Sequence, residues 1–291
     1  MVKVSFNPSD YKRTVADEAA LVLKNRYFEQ NPSLSDDGSA LIARPGLRFL
    51  ETVGTGPIRG LHSEPGAFGG DIFVVSYDTL YRMDVHLNTT SLQTGLNNPD
   101  SGAVNMCITQ AIGSDPEYLF VADGRNLWVY DGTSTSVITT PDDIGIFDVV
   151  TIASYVICIP VQEDEFLGRF YWIEPGEITI DSLNFATAET YPDAVMGVKR
   201  LGDNFWLPGE RSTEVWYVTG DATAPMSRVQ GVVFDRGTWE ATAVSIKEEL
   251  MLVDGDGGVF RGNGRGFQRI SNPGIEEEIR RAISNQQNFT L

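Results

Sequence analysis

Histidine and cysteine most often supply catalytic or metal-binding groups, and this chain has two of each. His62 and His86 stand in no metal-ligand spacing, and the sequence has no Gly-x-Ser-x-Gly nucleophile motif. We expect both to be polar surface or rim residues. Cys107 and Cys158 each lie inside an apolar run, which is typical of buried free thiols and not of a disulfide framework or zinc site. The sequence therefore predicts no catalytic residue, no metal ligand and no cofactor.

Three loops contain residue types found in ligand sites, but none has the complete pattern. Residues 254–258 lack the oxygen ligands of an EF-hand and stand between two apolar runs, which predicts a hairpin turn. Residues 262–266 are glycine-rich, but no helix follows to bind a phosphate. Residues 235–239 place Trp239 one position too early for a sialidase-type Asp box. Paired carboxylates carry no information about acid–base roles in so acidic a chain.

The charge balance limits the ways in which this protein can meet DNA. The net charge is −18, from 40 acidic and 22 basic residues, and no dense Lys/Arg cluster forms a basic stripe. Arg280 and Arg281 follow Glu276 and Glu277 at helical spacing, which predicts a solvated helix face. A protein with this surface does not grip phosphates in bulk.

A pair of short apolar strands joined by a polar turn recurs five times along the chain. The copies begin at residues 72, 119, 156, 204 and 250, so the successive spacings are 47, 37, 48 and 46 residues. Each copy has the alternation and turn residues of a β-hairpin. A repeat of roughly 40 to 50 residues is the length of one four-stranded propeller blade. Four tryptophans recur in the hairpins and are predicted to pack between blades: Trp128, Trp172, Trp206 and Trp216.

The predicted fold class is all-β: a β-propeller of four-stranded blades, complete or incomplete in this chain, with one short C-terminal helix. The remaining strands of the blades are predicted at 104–108, 136–139, 177–180, 195–200, 228–233 and 241–246. Helical periodicity covers residues 275–283, and residues 288–291 resemble the start of another strand. A pair of β-sandwiches is the alternative, which the even spacing disfavours.

Two domains are predicted. Residues 1–65 form an N-terminal arm with strands that contribute to ring closure or to contact with an adaptor, and residues 66–291 form the blades and the helix. Strands are expected from about residue 22 (where residues 17–23 also allow one or two helical turns), at 40–43, at 47–53 and from residue 57. No signal peptide is visible, and the longest near-apolar run, 149–161, is too short to span a membrane.

One stretch resembles a known family. Its distinctive residues are Tyr191-Pro192-Asp193, Gly197, Ser212-Thr213-Glu214-Val215-Trp216 and Thr219-Gly220. In these residues the chain is similar to the packaged-DNA stabilisation protein of short-tailed phages, which is the tail hub or nozzle below the portal and adaptor rings. Further segments agree in order from about residue 20 to the end: Asn25, Tyr27, Glu29, Asn31-Pro32, Arg44-Pro45-Gly46-Leu47, Arg59-Gly60, Leu80-Tyr81, Arg169-Phe170-Tyr171-Trp172, Arg269-Ile270-Ser271, Ile275-Glu276 and Ala282-Ile283.

The resemblance implies a structural role in the virion tail, with assembly in the host cytoplasm. Six copies would form a ring that continues the portal channel, retains packaged DNA and conducts it at ejection without sequence-specific binding. The implied partners are further copies, the head-to-tail adaptor and other tail proteins, with tail fibres or a needle as additional candidates. Seven residues are predicted to lie at the lumen or at an interface: Arg44, Arg59, Glu163, Asp164, Glu165, Glu210 and Arg211.

One departure from the family and two alternative functions stay open at this point. Members of that family usually continue beyond the equivalent of Leu291, so the expected propeller is closed only if this chain is a short member. A carbohydrate-binding or carbohydrate-acting propeller of a phage tail is one alternative, and a glycan-binding screen would reveal it. A generic propeller interaction module is the other, and a stable monomer in the presence of the adaptor would favour it.

Overall fold

The computed structural model describes residues 26–30, 39–43, 45–97, 102–109, 116–163 and 166–289. These residues belong to two compact units. The larger unit comprises Glu51–Gly255 and Arg261–Gln268. The smaller unit contains the described residues before Glu51, Asp256–Phe260 and the residues from Arg269 onward. The alternatives predicted for residues 17–23 lie outside the described residues.

Five four-stranded antiparallel sheets follow one another along the chain, and in each sheet the strands pair in sequence order. They are preceded by a hairpin of two strands, β1 (Arg26–Gln30) and β2 (Ser39–Ala43). Blade by blade, the other strands are β3 (Ile58–His62), β4 (Ile72–Ser76), β5 (Thr79–Met83) and β6 (Thr89–Gln93); β7 (Asn105–Thr109), β8 (Tyr118–Ala122), β9 (Leu127–Tyr130) and β10 (Thr135–Ile138); β11 (Ile146–Ile152), β12 (Tyr155–Pro160), β13 (Arg169–Ile173) and β14 (Phe185–Thr187); β15 (Lys199–Leu201), β16 (Asn204–Pro208), β17 (Thr213–Val218) and β18 (Met226–Phe234); β19 (Val244–Ile246), β20 (Glu249–Val253), β21 (Val259–Gly262) and β22 (Phe267–Arg269). Two single turns of 3-10 helix lie at Phe68–Gly70 and Pro141–Asp143.

The five repeated hairpins are the second and third strands of the five blades, so the predicted propeller architecture is confirmed. The inner strands β3, β7, β11, β15 and β19 contact one another in that order. Among the described residues, β3 and β19 make no contact of similar extent. The ring of blades is therefore not closed.

Three sequence predictions of strands are wrong in position. Residues 47–53, predicted as a strand, form no ladder with the described residues. Residues 177–180 belong to an exposed loop, and the outer strand of the third blade is β14, where Phe185 packs on Tyr171 with ring centroids 6.0 Å apart. The strand predicted at 195–200 is β15 (Lys199–Leu201), and Val195 forms only an isolated bridge to Gly209.

A C-terminal helix, α1 (Pro273–Phe289), is confirmed and is longer than predicted. The backbone N–H of Ile275 donates to the side chain of Asn272 at 3.0 Å, which caps the first turn. Glu277 then pairs with Arg280 at 2.7 Å and Arg281 at 3.1 Å on the solvated face. The strand start predicted at residue 288 is wrong, because a capped helix extends through Phe289 at little cost per residue. No helix among the described residues has the length and hydropathy to cross a membrane.

Each interior blade buries both of its faces. In β12, Val156 and Cys158 join the apolar cluster between the second and third blades, while Ile157 and Ile159 join the cluster between the third and fourth. Alternate residues of a strand point to opposite faces, so one strand supplies two interfaces. This explains why the middle strands are nearly continuous apolar runs.

The two cysteines are free and buried, as predicted, in the cluster between the second and third blades. Burial raises the pKa of Cys107 to about 12 and raises that of Cys158 as well. Both thiols stay protonated and unreactive near neutral pH.

Polar contacts also join neighbouring blades at their inner strands. The Asp148 carboxylate is 1% exposed and accepts from the Lys199 ammonium at 2.7 Å and from the backbone N–H of Val198 at 2.9 Å. The side chain of Asn105 donates to the carbonyl of Phe147 at 2.9 Å. These contacts fix the second, third and fourth inner strands against one another.

Phe170 is a direct test of this packing. It is fully buried, and its ring centroid lies 5.0 Å from that of Trp216 and 5.6 Å from that of Phe205. Phe170→Ala should lower the free energy of unfolding by about 3–5 kcal/mol because a cavity opens between two blades. Denaturant titration of both variants measures this, with the half-exposed Phe185→Ala as the control. A loss no larger than that of the control would contradict the packing.

Candidate functional site

The turns that join the second and third strands of the first four blades lie at one end of the larger unit. We call this end the turn face; its described residues are 77–78, 123–126, 161–163, 166–168 and 209–212. Hydrogen bonds connect each turn to the segment that leads into the following blade; in the fourth turn, the N–H of Thr238 donates to the carbonyl of Gly209 at 2.8 Å. Examples are the bond from the N–H of Leu96 to the carbonyl of Asp78 at 3.0 Å and from that of Gly124 to Ile146 at 2.9 Å.

Arg59, a predicted site residue, holds the first blade to the second at the turn face. Its Nε donates to the carbonyl of Gly102 at 3.0 Å, and its Nη1 donates to the carbonyl of Tyr77 at 2.9 Å. Partial burial lowers the pKa of Arg59, while the fields of Asp78 and Asp123 oppose that change. The guanidinium remains charged and is engaged within the chain.

Asp123 organises the turn of the second blade. Its carboxylate accepts from the backbone N–H groups of Asn97, Arg125 and Asn126 at 2.6–2.9 Å and from Trp128 Nε1 at 2.8 Å. Burial acts to raise the pKa of Asp123, but the donated hydrogen bonds outweigh it, and the pKa lies below its ordinary value. Trp128 is therefore held by a polar contact as well as by packing.

Gln162 fixes the turn of the third blade, which contains predicted site residues. Its Nε2 donates to the carbonyl of Pro160 at 2.9 Å, and its Oε1 accepts from the N–H groups of Gly168 at 2.8 Å and Val195 at 3.2 Å. The adjacent Glu163 is exposed. Asp164 and Glu165 lie outside the described residues, as does Arg44.

The family-like stretch is hydrogen-bonded to the turn of the fourth blade. We call this set of contacts, made by Tyr191, Asp193 and Glu214, the clamp. Asp193 accepts from the N–H groups of Arg211 at 2.8 Å and Ser212 at 3.0 Å, and from the Ser212 hydroxyl at 3.1 Å. Tyr191 donates its hydroxyl to Asp235 at 2.7 Å. The side chains of Glu210 and Arg211 remain exposed beside this clamp. Two motifs that are about 20 residues apart in sequence are thus in direct contact.

Glu214 completes the clamp from a buried position. It is 2% exposed and accepts from the N–H of Thr190 and from Trp216 Nε1, both at 2.8 Å. The Arg228 guanidinium lies 3.6 Å from the same carboxylate. A buried carboxylate with this many donors serves structure, because unpaired charge at this depth would be costly.

The structure leaves the predicted site residues in separate groups. Within the described part of the chain, no hydrogen bond or ion pair joins Glu163 to Glu210 or Arg211.

His86 lies in an exposed turn as expected, but His62 lies half-buried on the inner strand of the first blade, where burial lowers its pKa. No group of His, Cys, Asp and Glu in the described residues is arranged to hold a metal ion. Residues 254–258 form the predicted hairpin turn between β20 and β21.

A model of one protein family, described as Bacteriophage P22 Gp10, beta-propeller, matches residues 8–289. The chain belongs to this family. The resemblance to the packaged-DNA stabilisation protein of short-tailed phages is thereby confirmed. The family is one of phage structural proteins with a role in DNA stabilisation, and the chain shares that general role.

Solved structures support the fold independently. The beta-propeller domain of Cps50 (Swd1) from Myceliophteria thermophila is 10% identical, with a TM-score of 0.52 over 75% of this chain and 74% of that one. A streptogramin B lyase is 13% identical, with a TM-score of 0.50 over 86% and 74%. At these identities the similarity shows the propeller fold alone. No curated protein matches the sequence significantly.

Two residues that position the site were missed from the sequence. Gln162 stands in an acidic turn and has no motif around it, and Asp148 lies inside an apolar run. A lone carboxylate within a buried strand was the one available signal, since such a group must find a partner. Its partner, Lys199, is 51 residues away, and the separation hides the pair.

Asp123→Asn tests the polar contacts at the turn face. The carboxylate's pKa is lower in the folded chain than its ordinary value of about 3.9, so its stabilising contribution is present above that value and is lost as the pH falls below it. At pH 7 the variant should be less stable by about 1–3 kcal/mol. The difference should shrink between about pH 4 and pH 2. Denaturant titration across pH measures this.

The matched control is Asp203→Asn, since Asp203 is exposed in the turn between β15 and β16. The control should be neutral at every pH. A deficit in Asp123→Asn that does not change with pH, or an equal deficit in the control, would contradict the role assigned to the four hydrogen bonds.

Proposed function

We propose that this protein is a structural component of a short-tailed phage tail, in which six copies form the hub or nozzle ring. The ring continues the portal–adaptor channel, retains packaged DNA and conducts it at ejection. The observation that carries this proposal is the family match over nearly the whole chain, 8–289. The protein acts without catalysis or a cofactor, is assembled in the host cytoplasm and resides in the virion tail.

The charge of the chain supports conduction without gripping. A net charge of −18 repels the phosphate backbone, so a duplex slides along the wall and does not bind it. The acidic turn of the third blade is our candidate for the lumen, through Glu163 and the neighbouring Asp164 and Glu165. Gln162 holds this turn in place by hydrogen bonds to three backbone groups of the same unit.

The remaining predicted residues are assigned to contacts between proteins. Glu210 and Arg211 are exposed at the fourth turn and are available to a partner, and we assign Arg44 and the N-terminal 65 residues to contacts with the adaptor or with another copy. Arg59 differs, because two carbonyls of its own chain already engage its guanidinium. We assign to Arg59 the positioning of the turn face.

Assembly on a portal–adaptor complex tests the proposed function. The purified protein should add to that complex as a symmetric ring, which mass photometry and electron microscopy would show. It should also slow the leakage of DNA from packaged heads that lack the tail. A protein that remains a monomer beside the adaptor, or a ring that leaves leakage unchanged, would contradict the proposal.

Charge reversal at Glu163 tests the lumen assignment. Glu163→Lys should leave ring assembly intact and slow DNA ejection severalfold at low salt, because each copy then attracts phosphates. The effect should fade as salt screens the charges. Asp203→Lys is the control, because Asp203 lies in a turn between first and second strands, at the opposite end of the blades. Equal slowing in both variants would contradict the assignment.

A further inference from the structure

Residues 45–50 expose apolar side chains that a soluble monomer would be expected to cover. Leu47 is 85% exposed, Phe49 is 75% exposed and Leu50 is 58% exposed. The sequence predicts a strand over residues 47–53, yet residues 45–50 have no ladder partner among the described residues. A strand-like segment that is neither paired nor buried has the properties of a sequence that is ordered on binding a partner.

The charge of this segment is opposite to that of the rest of the chain. Residues 38–50 contain Arg44 and Arg48 and no acidic residue, in a chain of net charge −18. Arg48 is exposed. The surface that complements this segment is therefore apolar at its centre and acidic at its rim, which is the usual arrangement of a protein–protein contact.

The larger unit has a groove with that composition. It lies between the outer strand of the second blade, β10, and the loop 174–184 of the third, with a volume of about 520 Å³. Val137, 50% exposed, and Ile178, 37% exposed, supply apolar surface on its two sides. The other lining residues are aliphatic or carry hydroxyl groups, Ile138, Pro141 and Thr179 among them.

Acidic residues flank this groove. Asp142 follows the lining residue Pro141, Glu177 precedes Ile178, and Asp181 lies between two lining residues. All three are exposed, and within the described ranges no ion pair engages them. A cationic apolar segment would gain both burial of apolar surface and contacts with opposite charges there.

We propose that residues 45–50 of one copy dock in this groove on a second copy of the same chain. Leu47 and Phe49 would fill the groove, and Arg48 would meet the acidic rim. The two patches are different, so the contact is heterologous, and repetition of such a contact generates a closed ring or an open filament. The inference rests on the proposed ring and names one contact within it.

Charge exchange provides the first test. Arg48→Glu and Glu177→Arg should each weaken self-association on the adaptor at least tenfold, as measured by mass photometry across concentrations. The double variant should recover to within about threefold of the wild type, because it restores opposite charges. Arg265→Glu, an equal charge change at an exposed turn, should have no effect. Failure of the double variant to recover would overturn the proposal.

A cysteine cross-link provides the second test and does not require the adaptor. Phe49→Cys combined with Val137→Cys should form disulfides between chains in concentrated protein when dissolved oxygen or diamide is supplied as the oxidant, seen as covalent dimers and higher species. The natural cysteines do not interfere, because both are buried with raised pKa values. Absence of cross-linked species, or a cross-link confined to single chains, would overturn the proposal.

These tests separate the contact from the proposed function. If the wild type forms rings and every variant does so with equal affinity, the contact is wrong and the ring stands. If the wild type forms no ring, the proposed function fails and the cross-link alone decides the contact. Loss of adaptor binding with Arg48→Glu but not with Glu177→Arg would assign the segment to the adaptor and overturn docking on a second copy.

Discussion

A four-stranded blade has two apolar faces and cannot cover either of them by itself. In this chain the constraint is met by alternation, since successive residues of the middle strands belong to the clusters on opposite sides of a blade. The order of the blades, the burial of the free cysteines and the aromatic contacts of Phe170 all follow from it. Because the ring is not closed, the first and last blades each have a neighbouring blade on one side only.

Polar contacts determine how the blades are aligned once the apolar faces meet. Asp123 and Gln162 each bind backbone groups of a turn and of the segment beside it, and Asp193 binds two backbone N–H groups of a turn from the segment beside that turn. These contacts keep the turn face rigid while leaving acidic side chains such as Glu163 exposed. Exposed carboxylates held in place in this way suit the proposed position beside DNA, since they repel phosphates.

The sequence predicted the parts of the fold in which local pattern and burial coincide. The second and third strands were found in all five blades, because burial on both faces makes them apolar runs between turn residues. The outer strand β14 was misplaced, since only three residues form it and Phe185 alone marks it. Residues 47–53 have the pattern of a strand but no ladder partner in the described part of the chain. The clamps around Asp193 and Glu214 join distant residues, so their motifs identified a family without indicating their contacts.

The proposed function requires that copies of this chain form a ring whose wall toward DNA is acidic. The structure of the ring on the portal–adaptor complex, determined by electron microscopy with DNA in the channel, tests it most directly. We predict six copies, the turn around Glu163 toward the channel, and a wall of net negative charge without ordered phosphate contacts. A net basic wall, or density for side chains bound to the DNA backbone, would contradict it.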